Sequence, residues 1–311
     1  MNWKIKALVQ NLVATLPRGP GDRLYYSLQR NLGVLRDDNP RFALARGAAF
    51  LSHLESQDIS AESKVFLEMG TGRRLALPMA LWLGGAARVL SVDVNRYLKP
   101  EIVLGDLAYI RQKREDFERI FRPHSLEASF RSRLESLVEF DPARRGFPAL
   151  LELLGVEYLA PMDVTALPLA SGSVDCHLSF NVLEHVPPET LKATLLDARR
   201  LLKPGGFFLH HIGPSDHFCR SDASISAINF LKYSDRAWGR IAGNRFMYIN
   251  RLRIDDFEEL FREAGLEPLT IDRTVDRQSL DELKAGFKLD ERFSSKSDQV
   301  NATVVAWVFA R

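Results

Sequence analysis

Apolar positions along the chain recur first with a helical period and then with the alternation of strands and helices. Ile5, Leu8, Val9, Leu12, Val13 and Leu16 share one spacing, Lys4, Lys6, Gln10 and Asn11 lie largely opposite, and Pro17 with Gly19 ends the pattern. The spacing predicts an amphipathic helix. Its apolar stripe either packs on the body of the protein or touches a membrane surface, aided by Trp3 and two lysines. Helical character continues to about residue 60, ending in "NPRFALARGAAFLSHLESQ". Beyond it, "KVFLEMG" reads as a buried strand running into a turn, "RLALPMALWLGG" as a helix closed by Gly84 and Gly85, and "ARVLSVDVN" as the next strand. Pro78 is compatible only with the first turns of that helix, so a late start is expected.

The rhythm breaks over about 97–157, where "IRQKREDFERIF" and "FRSRLESLVEF" read as helices of an inserted cap. Alternation resumes with "VEYLAPMDVTALP", "SVDCHLSFNVLEHV" and a helix through "LLDARRLL", then the turn "KPGG" and the strand "FFLHHIG". An irregular, partly helical flap covers about 214–250. The helix "IDDFEELFREAG" follows, with Gly265 at its C-terminal cap position. Two final strands, "EPLTIDRTV" and "NATVVAWVFAR", are separated by a polar segment. The expected organisation is a helical lead-in over 1–60 and an α/β domain over 61–311 that carries the insertion and the flap.

Composition narrows the partners. At 311 residues and 46% hydrophobic, the chain can bury a large core. Its net charge of +2, from 42 basic and 40 acidic residues, shows no basic excess of the kind that marks a nucleic-acid binder. Cys176 and Cys219 lie far apart without metal-ligand spacing, which fits a reducing cytoplasm and a buried thiol at Cys176. No apolar run approaches the roughly 20 residues needed to span a bilayer, and the N-terminus does not look like a signal peptide. The expected location is the cytoplasm, with contact at the inner face of the membrane only through the N-terminal helix. Oligomeric state is not legible.

The glycine turn carries the chemistry. A dinucleotide fold uses three glycines and sets a pyrophosphate on a helix N-terminus. Here Gly70 and Gly72 are present, the third position is Leu75, and Glu68 stands two residues before Gly70. A carboxylate there is a poor neighbour for a pyrophosphate and a sensible partner for a cation. Asp93, 21 residues past Gly72, ends the second strand where a ribose diol would be held. A nucleoside with a positively charged tail, such as S-adenosylmethionine, fits these residues better than NAD.

From Val65 to Gly206 the sequence resembles a class I S-adenosylmethionine-dependent methyltransferase. "LEMGTG" is similar to the first cofactor motif and "SVDVN" to the acidic strand end. "MDVTALPLASGSVDCHLSFNVLEHV" resembles the adenine-contacting segment with the fourth strand, and "LLDARRLLKPGGFFLHHI" the helix, turn and fifth strand. The resemblance implies a Rossmann-like fold, a seven-stranded mostly parallel sheet with helices on both faces and an antiparallel last strand. It implies that Gly70 and Gly72 admit the cofactor's amino-acid end beside Glu68, that Asp93 takes the ribose, that Asp163 with Val164 meets the adenine, and that Asn181 borders the sulfonium.

Methyl transfer to a hydroxyl also calls for a base. His217 and His211 are the candidates, with Asp216 adjacent to His217 as a partner in a pair or in metal binding. His210 also closes the fifth strand. His185 is discounted because "LEH" recurs in methyltransferases of quite different acceptors. No His, Cys and carboxylate cluster is strong enough in the sequence to assert a metal site. In the flap, Asn229, Tyr233, Trp238, Asn244, Arg245, Tyr248, Asn250 and Arg251 suit a sugar or another polyhydroxy acceptor. This segment resembles methyltransferases of bacterial surface-glycan biosynthesis. The expected activity is O-methylation of a glycan or small polar metabolite. The alternatives are a non-catalytic cofactor-binding scaffold or regulatory partner and, third, an NAD-dependent oxidoreductase, which Leu75 and Glu68 argue against.

Overall fold

The structure, a computed structural model, describes residues 2–33, 39–165 and 167–311. Seven strands form one sheet: β1 (Val65–Met69), β2 (Arg88–Val92), β3 (Val156–Leu159), β4 (Val174–Phe180), β5 (Leu202–Ile212), β6 (Pro268–Val275) and β7 (Thr303–Ala310). Their order is β3-β2-β1-β4-β5-β7-β6. β1 pairs parallel with β2 and with β4, β2 pairs parallel with β3, and β6 pairs antiparallel with β7. This is the α/β class I arrangement expected from the sequence, with the reversed strand last. β5 begins at Leu202, so the "KPGG" segment read as a turn opens the strand, with Gly205 at φ +76° as an irregularity within it.

The chain divides into two compact units. The first comprises the described residues of 39–179 and 196–209. β1 is buried along all but its first residue, as expected of a central parallel strand covered on both faces. α4 (Ala76–Leu83) is buried at every position, and α3 (Pro40–Glu55) packs on it closely. A Cβ on Gly47 would stand 2.5 Å from Ala80 Cβ and 2.9 Å from the Ala76 carbonyl. The insertion folds as α5 (Pro100–Gln112), α6 (Arg114–Ile120), α7 (Ala128–Glu139) and α8 (Pro142–Leu153). It buries Leu107, Ile110, Phe117, Phe121, Phe130 and Leu134 completely or nearly so. Arg133 of α7 donates to the carbonyls of Trp82, at 2.5 Å, and Ala86, at 3.0 Å. It thereby satisfies groups left open at the C-terminal end of α4.

The second unit comprises the described residues of 2–33, 180–195 and 210–311. It holds α1 (Trp3–Ala14), α2 (Arg18–Leu32), α10 (Asp235–Ala242) and α11 (Ile254–Glu263), while α9 (Pro188–Leu201) begins in it. The polar segment between the last strands is itself helical, as α12 (Arg277–Lys284), α13 (Glu291–Ser294) and α14 (Asp298–Ala302). Asp276, Asp290 and Ser297 cap their N-termini in turn.

Of the two alternatives for the apolar stripe of α1, packing on the body fails for most of it, with Val13 as the buried exception. Ile5, Leu8 and Leu12 are 57%, 59% and 61% exposed, whereas Lys6 and Gln10 are buried. Trp3 is the hydrophobic anchor, with its ring among those of Phe218, Tyr233 and Trp238. Polar bonds hold the rest of the inner face. Lys6 Nζ donates to Ser221 Oγ at 3.0 Å, Gln10 Nε2 to Tyr25 Oη at 2.9 Å, and Asn11 Nδ2 to the carbonyl of Ile241 at 3.1 Å.

Candidate active site

The first part of the site is built at the ends of β1, β2 and β3. Gly70 and Gly72 have φ +81° and +73°, a region that glycine enters at little cost. Gly70 N–H donates to the Val92 carbonyl at 2.8 Å, which ties the turn to β2. A Cβ added at Gly72 would meet nothing within 4 Å, so the turn faces open space. Gly72 N–H donates to Asp93 Oδ2 at 3.0 Å, and Tyr158 Oη donates to the same oxygen at 3.1 Å. One carboxylate therefore joins the turn to the ends of β2 and β3. Burial pushes Asp93 up to about 6.

Glu68 lies behind the turn. Its Oε2 accepts from Thr71 Oγ1 at 2.7 Å and from Ser91 Oγ at 3.0 Å, and burial pushes the carboxyl up to about 7. Its observed work is to fix the turn. Asp163 is exposed and caps its own loop, accepting at Oδ1 from Thr165 N–H at 2.9 Å and Thr165 Oγ1 at 2.8 Å. These bonds hold its carboxyl below the usual range. Val164 packs against the apolar cluster around Leu67, Leu90 and Val174. Two buried carboxyl groups at the turn would repel a pyrophosphate; they accept from hydroxyls and attract a cationic tail. These residues fit S-adenosylmethionine. Tyr158 and Ser91 are partners that the sequence reading missed; each occupies a strand-end or strand-interior position whose role depends on register.

A second group of candidate residues lies within the other unit, just past β4 and β5. Asn181 has φ +54°, tolerated because asparagine enters this region more readily than most residues. Its Oδ1 bonds His211 Nδ1 at 2.8 Å. The His211 ring stacks on Phe180, 4.0 Å between centroids at 4°, and meets Trp307 edge-on at 4.8 Å. His210, on the opposite side of the strand, is buried with its ring 5.8 Å from that of Phe261.

His217 points elsewhere than its neighbour Asp216. Asp216 is fully buried, accepting from Phe218 N–H at 2.8 Å on Oδ1 and from Asn229 Nδ2 at 2.9 Å on Oδ2. Burial pushes it up to about 6. No Asp216–His217 pair forms. Instead one ligand atom each of Glu184, His185 and His217 lie within 4.8 Å of one another. The sequence reading had set His185 aside and had not considered Glu184; their proximity to His217 is created only by the loop after β5. Glu184 is completely buried, its Oε1 accepting from Gly213 N–H at 3.2 Å. Gly213 is required for this approach: a Cβ there would stand 3.0 Å from Glu184 Oε1 and 3.0 Å from Asn181 Oδ1. Burial, reinforced by Arg220 and His185, pushes the His217 imidazole down to about 2, so it is neutral at physiological pH.

The flap's polar and aromatic residues are largely spent on the flap itself. Asn229, Trp238, Asn250 and Arg251 are buried. Arg251 donates to the carbonyls of Phe230, at 2.9 Å, and Tyr233, at 2.6 Å. Asn250 donates to those of Leu183, at 2.8 Å, and Val186, at 2.9 Å. Asn244 and Arg245 bond Asn11 and Asp22. Their planar groups satisfy backbone carbonyls and the N-terminal helices, so they do not form the acceptor-facing surface expected of them.

Residues 128–210 match the family described as "Methyltransferase domain". Similar solved structures include an S-adenosylmethionine-dependent methyltransferase from Mesorhizobium loti, 13% identical, with TM-score 0.45 over 86% of this chain and 99% of that one. Another is 1,6-didemethyltoxoflavin-N1-methyltransferase of Burkholderia thailandensis, in complex with 1,6-didemethyltoxoflavin and S-adenosylhomocysteine. It is 16% identical, with TM-score 0.45 over 93% and 85% of the two chains. At such identity and TM-score neither informs the acceptor. No curated protein matches the chain. The sheet order is that of the class I methyltransferase fold, residues 128–210 carry a match to a methyltransferase domain, and the residues of the glycine turn fit S-adenosylmethionine as the cofactor.

Proposed function

We propose that the protein transfers a methyl group to a hydroxyl of a sugar, glycan or other small polar metabolite. The observation that carries this reading is the Glu184–His185–His217 cluster, a group of proton acceptors on the loops that follow β4 and β5. Open α/β sheets bind ligands at the carboxyl ends of their strands. S-adenosylmethionine supplies an electrophilic methyl carbon and a sulfur leaving group. The chain's own residues supply the rest. Within one unit Gly70 and Gly72 would admit the amino-acid tail, Asp93 would accept from the ribose, and Asp163 with Val164 would meet the adenine; in the other, Asn181, bonded to His211, is the residue that the resemblance assigns to the sulfonium side. As the new C–O bond formed, the hydroxyl's proton would pass to the carboxylate of Glu184, whose proton affinity burial raises, with the neutral His217 imidazole as a hydrogen-bond acceptor. The test is formation of S-adenosylhomocysteine against a panel of sugars, hydroxylated metabolites and amines. Hydroxyl acceptors that turn over only when His217 is intact support the reading; turnover confined to amines, or unchanged in His217→Ala, refutes it.

We propose also that α1 rests on an anionic membrane surface. Residues 1–33 carry five basic side chains against Asp22 alone, a net +4, which leaves −2 for the rest of the chain. That cationic excess lies on the segment that exposes Ile5, Leu8 and Leu12. Among the described residues no helix is long and apolar enough to cross a membrane. Co-flotation with phosphatidylglycerol vesicles, lost in Leu8→Asp/Leu12→Asp, supports this contact. Self-association in ultracentrifugation without vesicle binding assigns the stripe to a second copy instead.

A further inference from the structure

We infer that Glu184, His185 and His217 form a divalent-cation site, a two-imidazole, one-carboxylate set suited to a borderline ion such as Zn²⁺. The assignment rests on the cluster itself and not on the identity of the acceptor; a bound cation would take the lone pairs read above as proton acceptors and would instead lower the pKa of a hydroxyl at its open position. The three ligand atoms lie within 4.8 Å of one another.

Two buried atoms in the cluster lack partners. Glu184 is 0% exposed, and while Oε1 accepts from Gly213, its Oε2 is buried with no hydrogen bond. His217 Nε2 is likewise buried without a partner. A buried polar atom with no partner costs free energy and calls for an explanation. Two such atoms converging on a third ligand are explained together by one cation.

A surrounding bond sets the tautomer that ligation needs in His185. His185 Nδ1 lies 2.8 Å from the Tyr248 carbonyl, which can only accept, so Nδ1 carries the hydrogen and Nε2 keeps its lone pair. Metal-bound imidazoles are held in this way, the other ring nitrogen donating to a carbonyl or carboxylate. The turn that presents Glu184 and His185 is itself clamped, since Asn250 Nδ2 bonds the carbonyls of Leu183 and Val186 and Asn250 N–H donates to that of Glu184 at 2.9 Å.

Donor chemistry selects the ion. Two imidazoles and one carboxylate suit Zn²⁺, Fe²⁺ or Co²⁺, whereas Mg²⁺ and Ca²⁺ prefer all-oxygen sets. Three protein ligands leave a coordination position open, as in zinc sites that act on a bound water or substrate. Donors about 2.0–2.1 Å from a tetrahedral zinc stand about 3.3 Å apart, so the cluster closes inward on binding. His185, which is exposed, is the side chain with room to do so.

In a second group, Glu55, His124 and Glu127, the ligand atoms also lie within 4.8 Å of one another, and it serves as the internal control. There the carboxylates are 48% and 56% exposed and His124 Nδ1 already lies 3.0 Å from Glu55 Oε1. His124 Nε2 is buried without a partner there too, but both carboxylates are open to solvent, so a single orphaned atom remains and no buried carboxylate faces it.

The experiment titrates chelator-treated, tag-free full-length protein with Zn²⁺ by calorimetry and with Co²⁺ by visible absorption. One equivalent should bind, with a cobalt d–d spectrum of low coordination number. His185→Ala and Glu184→Gln should each weaken binding at least tenfold while circular dichroism stays unchanged, and His124→Ala should leave it intact. Glu184→Gln keeps an oxygen for Gly213 N–H, and His185 is exposed, so neither change should unfold the chain. Failure to bind one equivalent, binding that survives both substitutions, or binding lost in His124→Ala would overturn the assignment.

Discussion

Replacing Gly72 by alanine tests whether the turn's positive φ exists for the fold or for the cofactor. At φ +73° an L-residue pays a backbone cost of roughly 1–2 kcal/mol. The loss of unfolded-chain freedom returns about 0.4–1 kcal/mol, leaving a net destabilisation near 1 kcal/mol. No atom lies within 4 Å of the added methyl, so no steric term joins it. For a chain of this size that corresponds to a fall in melting temperature of about 2 °C. Gly205 is a matched control: φ is +76°, a Cβ there also meets nothing within 4 Å, and it lies at the opposite end of a strand from any proposed ligand. Both variants should therefore melt alike. Binding should separate them. In Gly72→Ala the methyl fills the space into which the cofactor's amino-acid end approaches, so affinity for S-adenosylhomocysteine should fall at least tenfold, or about 1.4 kcal/mol. Gly205→Ala should bind as wild type. Calorimetric titration and thermal melting of the three proteins suffice, and equal affinities in all three would refute the cradle.

Asp93 predicts a pH dependence. Its folded pKa is raised to about 6, so ribose binding through the carboxylate should be full above pH 7 and weaken by about tenfold per unit below pH 6. The same shift makes the folded apo-protein hold a proton that the unfolded chain releases near 3.9, so this group's contribution to stability declines as pH rises from about 4 to 6. Titrations of wild type and Asp93→Asn from pH 5 to 8 check both, since the asparagine variant should lose the dependence. Trp3→Ala should cost about 3–5 kcal/mol in denaturant unfolding, because the ring is 5% exposed among three aromatics. Ile5→Ser, on the exposed stripe, should change stability by less than about 0.5 kcal/mol; comparable losses would contradict the observed face of α1. Arg253→Met should destabilise by about 3–5 kcal/mol in the same assay. The buried guanidinium donates to the carbonyls of Pro214, Asn301 and Thr303, which no methionine can satisfy.

The geometry of the glycine turn was written in the sequence because its signals are local. A glycine needed at positive φ, an acidic residue at the end of the next strand and a buried apolar run each announce themselves within a few residues, and Gly70, Gly72 and Asp93 meet as their spacing predicts. Periodicity also placed α1 correctly as a helix, but a period identifies which positions share a face and not which face turns inward. That choice depended on Ser221, Tyr25 and Ile241 presenting partners to Lys6, Gln10 and Asn11, and on an aromatic niche for Trp3. The flap shows the same limit. Composition cannot distinguish an arginine or asparagine that greets a ligand from one that satisfies buried carbonyls, as Arg251 and Asn250 do. The Glu184–His185–His217 cluster lay furthest from view, since adjacency in sequence favoured Asp216 as the partner of His217. The close approach permitted by Gly213 brings Glu184 to that loop instead, and burial of unpaired atoms, a property of the packed structure alone, distinguishes the cluster from ordinary surface side chains.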